Sequence, residues 1–375
     1  MKSKESFITY IFGFGRTNLI NSNKIFAKEF FYGYFDFKEE YNSVNFIEFE
    51  NNISQNLFSK ILDFFSKILR KLTKLSFFLD KICNYKNFKV LLKSKYIIIT
   101  NDRIGVSLLP FLIIFKFLKK PKSTVIVMGL LAKETNNLIS HFSQRIFLNL
   151  FFQSVDKFIF LSVNEYKQAI VSYKRFRCKF YYVPFCIDHK FWRDQQLQRK
   201  KKNIIFVGND SNRRYDLVRE IAESLPEFNF IFVTSEINRN KIKSQNIRFY
   251  EGSWNKQILS DTELKNLYST AYLSIIPLKD SYQPSGQSVA LQSMSMGVPV
   301  LITKTIGFWD NLYFIDKKNI LFMKNNNLKD WINKIRKISS DKEMQNLISR
   351  ESVELVEKEY NLAIFYKSLK NIILD

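Results

Sequence analysis

The sequence predicts an α/β protein made of two doubly wound, Rossmann-like lobes that face each other across an interlobe cleft. Short continuous apolar runs alternate with longer helical patterns in residues 6–162, and the alternation restarts at residue 203. Such alternation is typical of a parallel sheet covered by helices on both faces. A polar, charged run at 193–202 separates the two series and indicates a linker. The length of 375 residues, 46% of them hydrophobic, suits two such interiors.

The first series closes with the segment 181–185 and supplies the first lobe. Its predicted elements are a strand at 6–12, a helical pattern through residue 35, a strand at 44–49, a helix at 53–85, a strand at 96–100, a helix at 108–118, and strands at 123–128 and 157–162. The second series repeats the design. Its predicted elements are a strand at 203–207, a helix at 216–224, strands at 228–234 and 247–250, a helix at 264–269, a strand at 273–277, a helix at 285–296 and a strand at 300–303. Ligands of such sheets bind beyond the carboxyl ends of the strands, so we expect the site in the cleft.

The numbers of cysteines and histidines limit the kinds of metal site and catalytic site that the chain can form. Three cysteines (Cys83, Cys178 and Cys186) lack metal-ligand spacing and leave one unpaired in any disulfide scheme, which favours a reducing compartment. Only two histidines occur, so a His-rich metal site is excluded, a Ser-His-Asp hydrolase is disfavoured, and we expect no bound metal. The N-terminus has no apolar signal core, and the apolar stretch 104–118 is shorter than a membrane span requires. We therefore expect a cytoplasmic protein.

The net charge of +23 is unevenly distributed. Residues 1–185 contain 29 basic and 13 acidic residues, and the remainder contains 29 and 22. A positive field attracts polyanions such as nucleic acid, an anionic membrane or a phosphorylated glycolipid. A compositional bias toward Lys, Asn, Ile and Phe is the alternative, although it leaves the asymmetry unexplained. No nucleic-acid-binding module is recognisable, so we expect no nucleic-acid partner.

The segment 277–303 has the features of an anion site. We predict that Ser285 caps a helix whose free first-turn amides, together with the helix dipole, bind a diphosphate. Gly286 has no Cβ and lets a ligand approach the backbone. Polar side chains then recur at spacings of three and four, at Ser285, Ser288, Gln292 and Ser295. A solvated helix face after an ordinary loop is the alternative.

This segment resembles the donor-binding signature of GT-B glycosyltransferases close to family 4 (group 1). When Met294, Gly297 and Pro299 are aligned with the signature, Gln292 falls where the family has the glutamate that holds the donor ribose. The family's other glutamate falls on Pro284, so neither carboxylate is present. Ser285-Gly286-Gln287 matches a Ser-Gly-Gln variant of the signature. The resemblance implies that Ser285, Gly286, Gln287, Ser288 and Gln292 bind the donor, with Gln292 as a neutral group.

Weaker matches extend the resemblance over most of the chain, at 160–165, 183–188, 206–210, 261–280 and 361–374. They imply an acceptor-binding lobe at 1–190, a nucleotide-sugar lobe at 200–358, and a final helix at 359–375 that crosses back to the first lobe. Basic side chains after Gly208 neutralise the donor diphosphate in the family, which assigns that role to Arg213 and Arg214. Two arginines on an exposed turn are the alternative. Trp254 is a candidate beside the nucleotide base, with a core or rim tryptophan as the alternative.

The resemblance implies an enzyme that transfers a sugar, with a hexose favoured, from a nucleotide diphosphate to a lipid-linked or cell-surface glycan such as lipopolysaccharide or capsule. No Asp-x-Asp motif occurs, which argues against the metal-dependent single-lobe transferases. We therefore expect no cofactor besides the nucleotide-sugar substrate, and a leaving diphosphate stabilised by amides and arginines. Family resemblance favours retention of configuration. No catalytic residue is assigned, since His141 is a candidate only through its position in the first lobe.

Acceptor and membrane contacts are expected from the first lobe. Gly13, Gly15 and Arg16 follow the first strand and are candidates to border the acceptor. Residues 57–81 form a basic amphipathic pattern of the kind that lies on an anionic membrane surface. Peripheral attachment to the inner face of the membrane follows as a hypothesis, and a helix packed on its own sheet is the alternative.

Two other functions keep the same fold. A catalytically inactive GT-B scaffold that binds glycans or partners would account for the missing glutamates. A sugar-nucleotide epimerase would bind the same donor without transferring it.

Overall fold

A computed structural model describes residues 6–49, 57–135, 137–193, 203–242, 244–251 and 259–375. The chain forms two compact units. The first contains the residues up to Asn23, Phe30–Pro184 and Tyr366–Asp375, and the second contains Lys24–Glu29 and Phe185–Phe365. A short segment from the N-terminal part of the sequence thus belongs to the second unit.

The first unit is built on a six-stranded parallel sheet in the order β2-β1-β3-β4-β5-β6. Its strands are β1 Ser6–Phe12, β2 Val44–Glu48, β3 Ser94–Ile99, β4 Lys122–Val127, β5 Lys157–Phe160 and β6 Phe180–Tyr182. The register places Tyr10 beside Phe46 on one side and Ile98 on the other. The chain order reverses between β1 and β3, so the loops after these strands diverge and leave a crevice at this edge of the sheet.

Helices cover both faces of this sheet, because its central strands are apolar on both sides. They are α1 Arg16–Ile20, α2 Tyr34–Glu40, α3 Leu57–Thr73, α4 Tyr85–Leu92, α5 Asp102–Ser107, α6 Leu109–Leu118, α7 Leu138–Ser154 and α8 Val163–Ser172. Phenylalanines fill much of the space between sheet and helices. Phe152, for example, meets Phe158 and Phe180 edge-on at ring-centroid distances of 5.0 Å each.

The second unit has a six-stranded parallel sheet in the order β12-β11-β10-β7-β8-β9. Its strands are β7 Asn203–Val207, β8 Asn229–Val233, β9 Ile247–Tyr250, β10 Ala271–Ile276, β11 Val300–Thr303 and β12 Leu321–Met323. Its helices are α9 Tyr215–Glu223, α10 Asp261–Ser269, α11 Gln287–Ser295, α12 Leu328–Ser340 and α13 Lys342–Glu359, and α14 Leu362–Leu374 ends the chain. This strand order is that of the dinucleotide-binding fold, with the reversal between β7 and β10.

The predicted strands are confirmed, but two helix predictions are wrong. Between β1 and residue 35 the chain forms only the five-residue α1 and a 3-10 turn at Glu29–Phe31 instead of a helix. The helix predicted at 53–85 ends at Thr73, because Lys74 adopts a left-handed φ of 59°. Residues 53–56 of that prediction, most of the linker at 193–202, and Trp254 lie outside the described residues.

Candidate functional site

Two loops meet at the strand-order reversal of the second sheet. One follows β7 (residues 208–214) and the other follows β10 (residues 277–286), and the two strands are hydrogen-bonded neighbours. The backbone amide of Arg214 donates to the Pro277 carbonyl oxygen at 3.0 Å, and the amide of Lys279 donates to the Asn212 carbonyl oxygen at 2.7 Å. The loops are therefore held together, and they bring sequence positions about 70 residues apart into one site.

The guanidinium of Arg213 lies at the centre of this site. Its side chain is only 3% exposed, and its Nε is 3.1 Å from Asp210 Oδ2, an ion pair whose geometry is too poor for a hydrogen bond. Its Nη1 has no hydrogen-bond partner within the described part of the chain. A Cβ on Gly208 would lie 2.6 Å from Arg213 Nε, and a Cβ on Gly286 would lie 2.8 Å from Nη1. Both glycines therefore make room for the arginine, a relation that the sequence prediction did not contain.

Helix α11 begins at this guanidinium, although not with the cap that was predicted. Gly286 is the N-cap residue, with φ 80° and ψ −3°, a left-handed conformation that favours glycine. The prediction that Ser285 caps the helix is wrong, because its Oγ instead accepts a hydrogen bond of 2.8 Å from Asn212 Nδ2. The first amides of any α-helix lack partners within the helix. A buried positive charge and a helix N-terminus thus coincide at Gly286.

The remainder of α11 is buried on every side, from Val289 to Ser295, and only Ser288 is partly exposed. The helix packs between β10, β11 and α13. Ser293 Oγ donates to the Val289 carbonyl within the helix, and Ser352 Oγ of α13 donates to the Met294 carbonyl. The predicted polar stripe therefore faces protein along most of its length, and Ser288 is the one member of it that is partly exposed.

Gln292 has a partner that the sequence did not reveal. Its Nε2 donates to Glu29 Oε1 at 2.9 Å, and Trp192 Nε1 donates to the same oxygen at 2.9 Å. The Tyr268 hydroxyl is 3.5 Å from Gln292 Oε1. Glu29 is 1% exposed, and burial raises its pKa to about 7 despite the hydrogen bonds from Gln292 and Trp192, which lower it. The short segment Lys24–Glu29 is thus fixed to the donor-signature helix by a buried carboxyl group.

Gly13, Gly15 and Arg16 lie at the corresponding edge of the first sheet. Gly15 has φ 91° and precedes α1, and Gly13 lies beside Asn101 of the loop after β3. The backbone amide of Arg16 donates to Glu48 Oε1 at 2.7 Å. Because the Glu48 carboxylate already binds the first amide of α1, a ligand at this turn would contact side chains more readily than backbone amides.

A second buried glutamate, Glu165, holds the loop after β4 in the first unit. Glu165 accepts hydrogen bonds from the amides of Gly129 (2.9 Å) and Leu131 (3.0 Å), and Asp102 accepts one from Met128 (3.0 Å). Burial raises the pKa of Glu165 to about 7. Two buried acids therefore fix the loop after β4, whereas His141 lies on α7 with an exposed side chain whose Nδ1 is 3.4 Å from Thr135 Oγ1.

The chain is similar to known proteins in its structure and not in its sequence. No protein-family model and no curated protein matches the sequence. Among solved structures, Anabaena HepE in complex with UDP-glucose matches with a TM-score of 0.67 at 13% identity, over 97% of this chain and 98% of that one. Sucrose-phosphate synthase from Thermosynechococcus elongatus matches with a TM-score of 0.67 at 12% identity, over 98% of each chain. A glycosyltransferase from Rickettsia africae matches with a TM-score of 0.60 at 11% identity, over 99% of this chain and 98% of that one.

These identities are low, and the likeness extends over nearly the whole length of both partners in each comparison. The two parallel six-stranded sheets with their flanking helices account for it. The chain therefore has the α/β two-lobed GT-B fold of these glycosyltransferases, as the sequence resemblance predicted.

Proposed function

We propose that this protein is a glycosyltransferase that uses a nucleotide-diphosphate sugar, and that the donor diphosphate binds where α11 begins. One observation carries the proposal: the buried Arg213 guanidinium, whose Nη1 has no hydrogen-bond partner among the described residues, lies against Gly286 at the N-terminus of that helix. The loops concerned follow β7 and β10, the two strands between which the strand order reverses. Open α/β sheets bind their ligands at this position.

The arrangement suits a diphosphate for electrostatic reasons. A buried donor without a partner costs about 1–3 kcal/mol, and a charged donor costs more. Asp210 compensates Arg213 only in part, through Nε, and its own side chain is 30% exposed. An anion on the first-turn amides of α11 would lie close to the guanidinium and to the positive end of the helix dipole. The same groups would stabilise the diphosphate as it leaves the anomeric carbon in an oxocarbenium-like transition state.

The remaining features of the proposal follow from the family resemblance. Gly208, Arg213, Arg214, Ser285, Gly286, Gln287, Ser288 and Gln292 are proposed to surround the donor. The acceptor is proposed to be a lipid-linked or cell-surface glycan and the sugar a hexose, transferred without a metal ion and with retention. HepE, which has this fold, has been solved with UDP-glucose and with UDP and glucose. A uridine nucleotide is therefore the first donor to test.

Donor binding is tested by thermal shift with UDP, GDP, ADP and their glucose conjugates, since a ligand that binds only the native state raises the melting temperature. We expect one nucleotide to stabilise the protein, and Arg213→Met to weaken its binding by roughly 1.5–3 kcal/mol, the range for hydrogen bonds to charged groups. Arg350→Met, on the exposed surface of α13, is the matched control and should bind as the wild type does. Unchanged nucleotide affinity in a folded Arg213→Met variant would overturn the site.

An inactive scaffold is a second candidate, because Pro284 and Gln292 stand where the family has its two glutamates and Gln292 is already bonded to Glu29. Nucleotide release from the bound sugar donor separates the two functions. A transferase releases the nucleoside diphosphate, at least slowly to water, whereas a scaffold binds the donor and leaves it intact. An epimerase would return an isomerised nucleotide sugar without release.

A further inference from the structure

Helix α3 (Leu57–Thr73) presents small hydroxyl side chains and two leucines to the protein, and most of its large apolar side chains to solvent. The residues it buries are Ser59, Ser66 and Thr73, one every seven positions. Ser66 Oγ accepts a hydrogen bond of 2.9 Å from the Leu79 amide, and Thr73 Oγ1 accepts one of 3.1 Å from the Leu75 amide. These small hydroxyl side chains let the helix lie close to the chain that follows and satisfy its amides. Leu62 and Leu69 lie on the same side and pack, partly buried, against the hydrophobic core, so the helix is held by two leucines and by these hydroxyl groups.

Large apolar side chains cover the opposite side of α3. Leu57 is 76% exposed and Phe64 is 61% exposed. The full exposed set on this helix is Leu57, Phe58, Ile61, Phe64, Phe65, Ile68 and Leu72. Scattered apolar side chains are normal on a protein surface, but seven on one helix form a patch of the kind that marks an interaction site.

The neighbouring helix α7 also exposes large apolar side chains. It packs against α3, and Phe77 and Phe147 meet edge-on near their contact at 5.5 Å between ring centroids. The first turns of α7 expose four more large apolar side chains, Leu138, Ile139, Phe142 and Ile146, of which Leu138 is 87% exposed. We call these four residues together with the seven on α3 the α3–α7 surface.

Basic side chains lie among these apolar residues. Residues 57–74 contain five basic residues and one acidic residue. Lys67 is paired with Asp63 at 2.7 Å, and Arg70 packs on the Phe78 ring at 4.4 Å, so these two cations are engaged. Lys60, Lys71 and Lys74 are exposed and have no ion pair in the described part of the chain. No acidic residue occurs in α7.

We propose that the α3–α7 surface binds an anionic lipid bilayer, with its aromatic and aliphatic side chains inserted in the interface and Lys60, Lys71 and Lys74 at the phosphate level. A bilayer supplies both an apolar layer and a negative surface, and lysine stems reach from one to the other. A second copy of the chain fits less well, because a two-fold interface would place this positive surface against itself. No helix in the described residues is long and apolar enough to cross a membrane. The proposal does not depend on the transferase reaction.

The test is flotation of the full chain with vesicles of phosphatidylcholine alone or of phosphatidylcholine and phosphatidylglycerol in equal parts. One variant removes the charges (Lys60→Gln, Lys71→Gln, Lys74→Gln), and another removes three rings (Phe58→Ser, Phe64→Ser, Phe142→Ser). The matched control changes exposed apolar residues outside the surface (Val171→Ser, Leu312→Ser). Circular dichroism and the nucleotide thermal shift report on folding and on the donor site, so a failure of the lipid proposal is distinguishable from a failure of the proposed function.

We expect the wild type and the control to float with anionic vesicles. Each lysine near an anionic surface contributes about a fivefold factor, so the charge variant should partition about 100-fold more weakly. The ring variant should no longer float with the anionic vesicles. Equal flotation of all variants would overturn the proposal. If the wild type does not bind vesicles but sediments as a dimer, and the ring variant does not dimerise, the surface binds a second copy of the chain instead. If the wild type neither floats nor dimerises, an acidic protein partner is the remaining occupant.

Discussion

The buried carboxyl group of Glu29 makes a quantitative prediction about stability. Burial raises its pKa to about 7 in the folded protein, against an ordinary value of 4.5. Between these two values the folded state binds the proton more tightly than the unfolded state does. The contribution of Glu29 to the free energy of unfolding is therefore full below about pH 4.5, falls as pH rises, and is lost above about pH 7.

The magnitude follows from the size of the pKa change. One unit corresponds to about 1.4 kcal/mol, so the contribution from Glu29 should fall by about 2–3 kcal/mol between roughly pH 5 and pH 8.5. Glu29→Gln keeps the shape and an oxygen that accepts from Gln292 or Trp192, but it does not titrate. The variant should therefore gain stability relative to the wild type as pH rises.

Urea unfolding at several pH values measures this effect as the difference between wild type and Glu29→Gln. Glu39→Gln, at an exposed position of α2, is the matched control and should leave the pH profile of the wild type unchanged. Glu165 also has a pKa raised to about 7 by burial, so its variant Glu165→Gln should show a similar change in the other unit. A stability difference between wild type and Glu29→Gln that is constant across this pH range would refute the reasoning.

Two further predictions concern α11. Gly286→Val places a side chain on a left-handed backbone and against Arg213 Nη1, which a Cβ would approach to 2.8 Å. We therefore expect the variant to lose nucleotide binding, measured by thermal shift, and its stability to fall by roughly 1–3 kcal/mol, measured by urea unfolding. Retained nucleotide affinity in the folded variant would rule out this placement of the diphosphate. Gln292→Leu should weaken donor binding by roughly 1–3 kcal/mol through loss of the proposed ribose contact, and should also lower stability because Glu29 loses a donor. A donor dissociation constant within about twofold of the wild type would show that Gln292 serves only to hold Glu29.

Strands and the fold class could be predicted from the sequence because their signals are local. A continuous apolar run such as 203–207 or 273–277 has one physical explanation in an α/β protein, a strand buried on both faces, and the structure has strands at Asn203–Val207 and Ala271–Ile276. The same applies to the glycine at the start of α11, where the missing Cβ is a property of the residue itself. These features need no knowledge of what packs against them.

Helix boundaries and caps were less predictable because neighbours decide them. Residues 16–35 have a helical pattern, yet the carboxylate of Glu48 and the burial of Glu29 in the second unit hold them in short turns. Ser285 has the composition of an N-cap, but Asn212, 73 positions away, takes its hydroxyl group. Residues 57–81 were predicted as a basic amphipathic pattern, and only the structure shows that α3 buries small hydroxyl groups with Leu62 and Leu69 and leaves its other large apolar side chains exposed.

The sequence alone therefore determined the two parallel sheets, the position of the loops at their carboxyl ends and the glycine at the start of α11, since each depends on residues adjacent in the chain. Tertiary structure decided which side chains meet there. It placed Arg213 against Gly286 and Glu29 against Gln292, pairs separated by 73 and 263 positions. Such contacts leave no periodic signal, because the energy of a buried ion or hydrogen bond depends on the distance in space between two groups and not on their separation along the chain.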